Sequence, residues 1–211
     1  TGATGGIGVE TVKGLAKLGA TVIVIGRNKE KGESIVQEIS KETNNPNIHL
    51  MIADFASLEA VRNLANEFLA QYSKLHVLIN NIGVINQQRT LTSDGFEKTL
   101  VVNHLAPFLL TNLLLPTMKE SEAARVINVS SGGHQIYKLD FDDLQTSKNY
   151  TGQKAYCRTK LANVLFTYEL ARRLKGTEMT ANCLHPGTII TDFYSDFRNN
   201  PLSRWLEKMM S

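Results

Sequence analysis

Thr1-Gly2-Ala3-Thr4-Gly5-Gly6-Ile7-Gly8 opens the chain and leads directly into the amphipathic pattern Ile7, Val12, Leu15, Ala16 and Leu18. Gly2, Gly6 and Gly8 form T-G-x-x-x-G-x-G. Without Cβ atoms they permit a tight turn and a close backbone approach to a pyrophosphate, whose charge is favoured at a helix N-terminus. A plain glycine-rich turn fits the same residues, so the pattern gains weight only from the rest of the chain. Turn chemistry of this kind normally follows a strand, and the sequence is therefore expected to be cut at its start.

Working outward, β-branched runs occur at Thr21–Ile25, Ile48–Ala53, His76–Asn80, Arg125–Val129 and Met179–Leu184. They are mostly apolar on both faces, as suits a parallel sheet covered on both sides. Helical patterns lie between them at Ile7–Leu18, Lys29–Lys41, Leu58–Gln71, Gly95–Leu115 and Gly152–Leu174, with Asn28 and Ser57 placed as N-caps and Pro107 placed to kink the fourth. The fourth and fifth patterns are expected to lie side by side. Alternating strand and helix predicts a doubly wound parallel α/β sheet. No repeat, low-complexity tract or linker divides the 211 residues, which read as one domain over 1–211.

Composition narrows the function. Hydrophobic residues at 42% and charged residues at 20% exclude disorder as the main state. The net charge of +3 is scattered among acidic residues, which disfavours nucleic acid as a partner. Leu105 to Pro116 is the longest nearly apolar stretch and contains Thr111 and Asn112, whereas a bilayer span needs about twenty apolar residues, so no transmembrane segment is expected in the given chain. Cys157 and Cys183 have neither CxxC spacing nor a disulfide framework, which predicts a reducing, cytoplasmic setting; an upstream membrane anchor stays open.

In an open parallel sheet, ligands bind beyond the carboxyl ends of the strands. There the second expected turn reads Gly26-Arg27-Asn28, without the carboxylate that would accept from the ribose of NAD. Arg27 offers a donor fork suited to a 2′-phosphate, or is a solvated arginine at a helix start. Lys29 and Lys31, on the first turn of the next helix, are expected to take a smaller share because solvent screens them. Asp54 is placed to accept from an adenine amino group, or begins the next turn. Tyr156 and Lys160 stand four apart on a helical stretch and so share one face; an ammonium near a phenol favours the phenolate and suits it to general acid/base work. Such pairs are also common on solvated helix surfaces.

Taken in order, Thr1–Gly8, Asn80-Asn81-Ile82-Gly83, Asn103, Asn128-Val129-Ser130-Ser131, Tyr156-x-x-x-Lys160 and Pro186-Gly187-x-x-x-Thr191 resemble the classical short-chain dehydrogenase/reductase family over almost the whole chain. Val102-Asn103-His104-Leu105, Phe108 to Leu114 and Lys160 to Phe166 are similar to its retinol-dehydrogenase-like branch. The resemblance implies a Rossmann-like, NAD(P)-dependent oxidoreductase in which NADP is expected, with NAD as the alternative, acting on a small apolar alcohol or carbonyl substrate. It implies Tyr156 as the proton donor and acceptor and Lys160 as the group that lowers its pKa and bonds the nicotinamide ribose. Ser131, in preference to Ser130, would hold the substrate oxygen, and Asn103 a water relaying protons by way of Lys160. Cofactor contacts are implied at Gly2, Thr4, Gly6, Ile7, Gly8, Arg27, Asn28, Asp54, Asn81, Ile82, Gly83, Tyr156, Lys160, Pro186, Gly187 and Thr191, the last bonding the carboxamide. The cofactor supplies the hydride and the protein supplies position and proton management.

Three departures from that family bear on the fold and site. Ile82 replaces the usual alanine where backbone passes the adenosine side of the cofactor. The first, central strand is absent, so its neighbours are expected to lose a hydrogen-bond partner. The chain also stops at Ser211, before the last strand of the family, which often completes the sheet and a dimer interface; a homo-oligomer is compatible with this. The missing strand keeps one competing reading open, a catalytically idle nucleotide-binding regulator. His49, His76, His104, His134 and His185 lack metal-site spacing, and no metal is expected. His104 and His134 are candidates to border the substrate, Asp140, Asp142 and Asp143 read as a solvated loop, and Asp192–Met210 reads as a lid or a packed helix.

Overall fold

Val24 and Val126 lie within two strands and are fully buried, as expected where helices cover both faces of a parallel sheet. The computed structural model describes residues 1–187; Thr191 and the Asp192–Met210 segment lie outside the described residues. The chain runs α1 (Ile7–Lys17), β1 (Val22–Gly26), α2 (Lys29–Thr43), β2 (Ile48–Ile52), α3 (Leu58–Gln71), β3 (Val77–Asn80), α4 (Lys98–Leu100), a π-helical turn (Val101–Leu105), α5 (Ala106–Lys119), β4 (Arg125–Val129), α6 (Gly152–Arg173) and β5 (Thr180–Leu184). Asn28 caps α2 by accepting from Lys31 N, and Ser57 caps α3 by accepting from Ala60 N.

All strand pairs are parallel, with Val22 opposite Ile48, Val77 opposite Arg125, and Arg125 opposite Thr180. The strands form a β1-β2 sheet and a β3-β4-β5 sheet, the alternating helices making this the doubly wound, Rossmann-like arrangement. Among the described residues β1 and β3 each have one ladder partner. They flank a cleft of about 650 Å³ whose walls include Val22, Ile23, Ile25, Leu78 and Ile79. Thr1 N donates to Ile79 O at 2.7 Å and Ala3 N to Ile25 O at 3.4 Å, so the opening residues join the two sheets at the carboxyl ends of β1 and β3. Two apolar clusters form the core, one around Val12, Val24 and Ile39 and a larger one around Val61, Leu110, Met118 and Val126, which Met51 of β2 joins and on which Ile23 and Ile25 of β1 pack, so the larger cluster spans both sheets.

The fourth helical pattern differs from its expected bounds. Gly95, at φ +80, forms a turn, and helix begins at Lys98 because the buried Glu97 carboxylate accepts from Thr99 N and Leu100 N. Helix continues through Pro116 to Lys119. The run Lys98–Lys119 is long and apolar enough, by length and composition, to cross a membrane, yet half of it is buried within the domain, where α5 packs on α3. Its apolarity is that of a core helix at those buried positions. The departure near Pro107 is a π-turn just before it, with Ala106 N bonded to Val101 O. α6 packs beside α4 and this turn, as the sequence predicts.

Candidate active site

The carboxyl ends of the strands converge on a second pocket, of about 420 Å³. The glycine loop forms one wall through Gly2, Thr4, Gly6 and Ile7. Gly2 and Gly6 have φ of +61 and +49, and a Cβ on Gly8 would stand 2.1 Å from Gly2 O, so the loop closes only with glycine at that position. Gly8 itself lies behind the pocket surface, supporting the loop. Gly6 supplies no side-chain cap to α1; Gly8 N donates to Gly5 O at 3.1 Å, and Ile7, the first helical residue, lines the pocket.

The Asn80–Gly83 loop forms the adjoining wall. Asn81 N and Ile82 N both donate to Thr1 Oγ1, at 3.1 and 3.2 Å, and Asn81 Nδ2 donates to Gly2 O at 3.2 Å. These bonds lock the glycine loop against Asn81, Ile82 and Gly83, all of which line the pocket. Ile82, the departure from alanine, is accommodated because its side chain packs partly onto the larger apolar cluster. Beneath the loop, Asn80 Nδ2 donates to Asn128 Oδ1 at 2.9 Å and to Thr111 Oγ1 at 3.0 Å, tying β3 to β4 and α5.

Ser131, Tyr156 and Lys160 line the same pocket. Ser131 Oγ and the Tyr156 ring both approach within 4 Å of the point where a Gly133 Cβ would stand. Ser131 Oγ accepts from Gly133 N at 3.2 Å, which leaves its own proton to donate. Ser130, by contrast, donates to Lys160 O at 2.9 Å and is buried, a structural link between β4 and α6. Lys160 is 3% exposed, with Nζ donating to Val129 O at 2.8 Å and lying 5.5 Å from the Tyr156 ring centre. Burial brings its ammonium down to about 8 from the ordinary 10.5.

Arg27 lines the pocket at the end of β1, joined there by Lys31. Lys31 has a larger place than its position on a solvated first turn suggests, because Asn28 pins that turn of α2 and so presents the lysine to the pocket. Asn28 Oδ1 accepts from Lys31 N in this cap and Asp54 Oδ1 from Ala56 N, and neither residue lines the pocket. Pro186 and Gly187 line it; Thr191 lies outside the described residues.

Asn103 is fully buried on the π-turn and also stands behind the pocket surface. Its Oδ1 accepts from Val84 N at 2.8 Å, while Nδ2 donates to Val84 O at 2.9 Å and Thr159 Oγ1 at 3.2 Å. The two histidines considered as substrate neighbours have internal partners: His104 Nδ1 meets Asn163 Oδ1 at 2.8 Å and His134 Nδ1 meets Ser131 O at 2.6 Å. In the acidic loop, Asp143 accepts from Ser147 N, Ser147 Oγ and Lys148 N, bonds that hold its carboxyl down to about 2. The buried Arg158 donates to Asp143 O and Lys138 O, fastening that loop to α6.

A parallel doubly wound sheet with a glycine loop at one strand end and a Tyr/Lys helix at another defines a class, and the family model for short chain dehydrogenases matches residues 1–201: the chain belongs to that family. It is similar to the retinol dehydrogenases, being 46% identical over 98% of this chain to retinol dehydrogenase 11 of Homo sapiens and 49% identical over 90% to retinol dehydrogenase 12 of Bos taurus. It is also 46% identical, over 92% of its length, to polyprenol dehydrogenase of Homo sapiens. The chain spans 64%, 60% and 61% of those three relatives. Among solved structures, an uncharacterized protein of Mycobacterium paratuberculosis superposes with a TM-score of 0.79 at 38% identity, covering 92% of this chain and 69% of that one. A metagenomic short-chain oxidoreductase in complex with NADP superposes with a TM-score of 0.71 at 25% identity, covering 89% and 80%.

Proposed function

We propose that this chain carries the active site of an NADP(H)-preferring oxidoreductase that interconverts an alcohol and a carbonyl on an apolar substrate. The observation that carries the reading is the convergence of Ser131, Tyr156 and Lys160 on the pocket formed by the glycine loop and Arg27. A dinucleotide fits these residues: the glycine loop, closed so tightly that a Cβ on Gly8 would strike Gly2 O, lays the backbone of Gly2, Gly5 and Gly6 along the pocket wall, and Ile7 at the start of α1 and two cationic side chains line the same space. Retinol and polyprenol, in the names of the relatives, are apolar alcohols, and the metagenomic relative binds NADP; both support the reading.

The glycine loop and the α1 N-terminus would hold the pyrophosphate, Arg27 and Lys31 the 2′-phosphate, and Asn81 to Gly83, Pro186 and Gly187 the flanks of the nucleotide. When bound, the nicotinamide supplies or accepts the hydride. In the reducing direction Ser131 donates a hydrogen bond to the substrate oxygen and Tyr156 delivers its phenolic proton to that oxygen; oxidation runs the same transfer in reverse. Lys160 favours the phenolate by its nearby charge. Both amide protons of Asn103 are engaged, so a relay water at this residue donates to an Asn103 oxygen.

NADPH oxidation by the full-length protein across a panel of apolar aldehydes and ketones tests the reading, with Tyr156→Phe as the decisive variant. Turnover should fall on the order of 10²–10⁴-fold while NADPH affinity is retained, since the ring stays and the proton donor goes. Wild-type kcat in the Phe variant, with chemistry rate-limiting, would show that another group moves the proton.

A further inference from the structure

Asn103 stands four residues before Pro107, at the position whose carbonyl would accept from residue 107 in a regular α-helix. Pro107 has no N–H to give, and a proline ring presses on the carbonyl four residues back. Helix widens into the π-turn there. Asn163 on α6 provides a donor from outside that helix: its Nδ2 reaches Asn103 O at 2.9 Å. The other end of the same carboxamide, Oδ1, lies 2.8 Å from His104 Nδ1. Since the Nδ2 end donates, Oδ1 accepts, and this assigns the His104 ring proton to Nδ1. With both ends engaged the carboxamide has a single satisfied orientation. Asn163 is 6% exposed and Asn103 fully buried, so water is poorly placed to replace either bond.

One helical turn earlier, Thr159 Oγ1 accepts from Asn103 Nδ2 at 3.2 Å and donates to Tyr156 O at 2.6 Å. Two interleaved pairs at i, i+4 therefore run along α6. Tyr156 and Lys160 line the pocket, while Thr159 and Asn163 grip the π-turn. We infer that Asn163 is a positioning residue for the Tyr156/Lys160 pair: it takes over from the amide that Pro107 lacks, and so fixes α6 against the π-turn. The catalytic part rests on the oxidoreductase reading above; the clamp itself does not. Releasing the clamp lets α6 move relative to Ser131, and displacements of about an ångström at reacting groups cost up to about a hundredfold in rate.

The test compares Asn163→Asp, which turns the donor facing Asn103 O into an acceptor, with Asn163→Leu, which removes both bonds. Thr159→Val serves as an independent release of the same turn should the Leu variant fail to fold. The full-length protein is measured for kcat per nucleotide-binding site, KM for an apolar aldehyde, NADPH Kd, and amide hydrogen exchange over residues 101–106. Expected are a fall in kcat of about ten- to hundredfold and faster exchange in that segment. KM and NADPH Kd should move by less than about threefold. Unchanged kcat in the Asn163 variants overturns the inference, as does lowered kcat with wild-type exchange over 101–106. A parallel loss of nucleotide affinity and global stability also overturns it, because that is the signature of a merely structural residue. If wild type turns over no alcohol or carbonyl while Tyr156→Phe also changes nothing, the oxidoreductase reading fails, and with it the catalytic part; the exchange measurement then decides the clamp alone.

Discussion

Replacing Lys160 by Met removes a charge that burial has made costly. The side chain is 3% exposed, and desolvation lowers its ammonium from 10.5 to about 8. That displacement corresponds to about 3 kcal/mol at neutral pH. Against it stands the hydrogen bond to Val129 O, whose loss costs about 1–3 kcal/mol, so Lys160→Met should lie between neutral and about 2 kcal/mol more stable at pH 7. The pH dependence is sharper. Between pH 8 and 10.5 the unfolded chain carries a proton on Lys160 that the folded protein lacks, so this residue makes wild-type stability rise with pH. From pH 7 to pH 9 the rise amounts to about 1 kcal/mol, and Met has none. Cys157, pushed up to about 11 by burial, acts in the opposite sense above pH 9 but is common to both proteins and cancels in their difference. Urea unfolding of wild type and Lys160→Met at pH 7 and pH 9, without nucleotide, should show the advantage of Met shrinking by about 1 kcal/mol. An equal gap at the two pH values would refute a desolvated lysine as the cause.

Arg27→Ala should erase most of an NADP over NAD preference of about ten- to hundredfold, since charge-assisted bonds to a phosphate are worth about 1.5–3 kcal/mol; Lys31→Ala should erase less, and titration of both nucleotides against each variant checks the order. Gly8→Ala places a Cβ 2.1 Å from Gly2 O and 2.9 Å from Ala3 Cα, both backbone, so the loop must shift. Overpacking of this kind costs about 1–3 kcal/mol, to be read as a lower melting temperature together with weakened nucleotide binding; a variant that melts and binds as wild type would show that the loop closes differently.

The family kept two of its marks plainly visible in the sequence. The glycine loop and the Tyr156/Lys160 spacing are local patterns, and local backbone and helix geometry decide what they do. The same holds for the five strands and most helices, whose apolar runs and caps at Asn28 and Ser57 are short-range signals. The alternation of strand and helix places the loops that follow the strands, Arg27 and Ser131 among them, at one sheet edge, while the order of motifs shared with the family is what joins the Tyr156/Lys160 face of α6 to them in sequence.

What tertiary structure alone decided is which partner each polar group takes. Asn28 and Asp54, candidates for nucleotide contacts in sequence, each accept one bond at Oδ1 from a backbone amide two or three residues away, and neither lines the pocket. Lys31 reads as a solvated first-turn lysine until α2 is set against β1 and it meets Arg27 at the pocket. The start of the fourth helix moved to Lys98 because a carboxylate, not the glycine before it, supplies the cap. Asn103 spends its amide on Val84 and Thr159, and its carbonyl on Asn163, across separations of 19, 56 and 60 residues. Sequence periodicity records which face of an element is buried; it carries nothing about the distant donor that a buried carbonyl will meet, because that pairing exists only once α6 has packed on the π-turn.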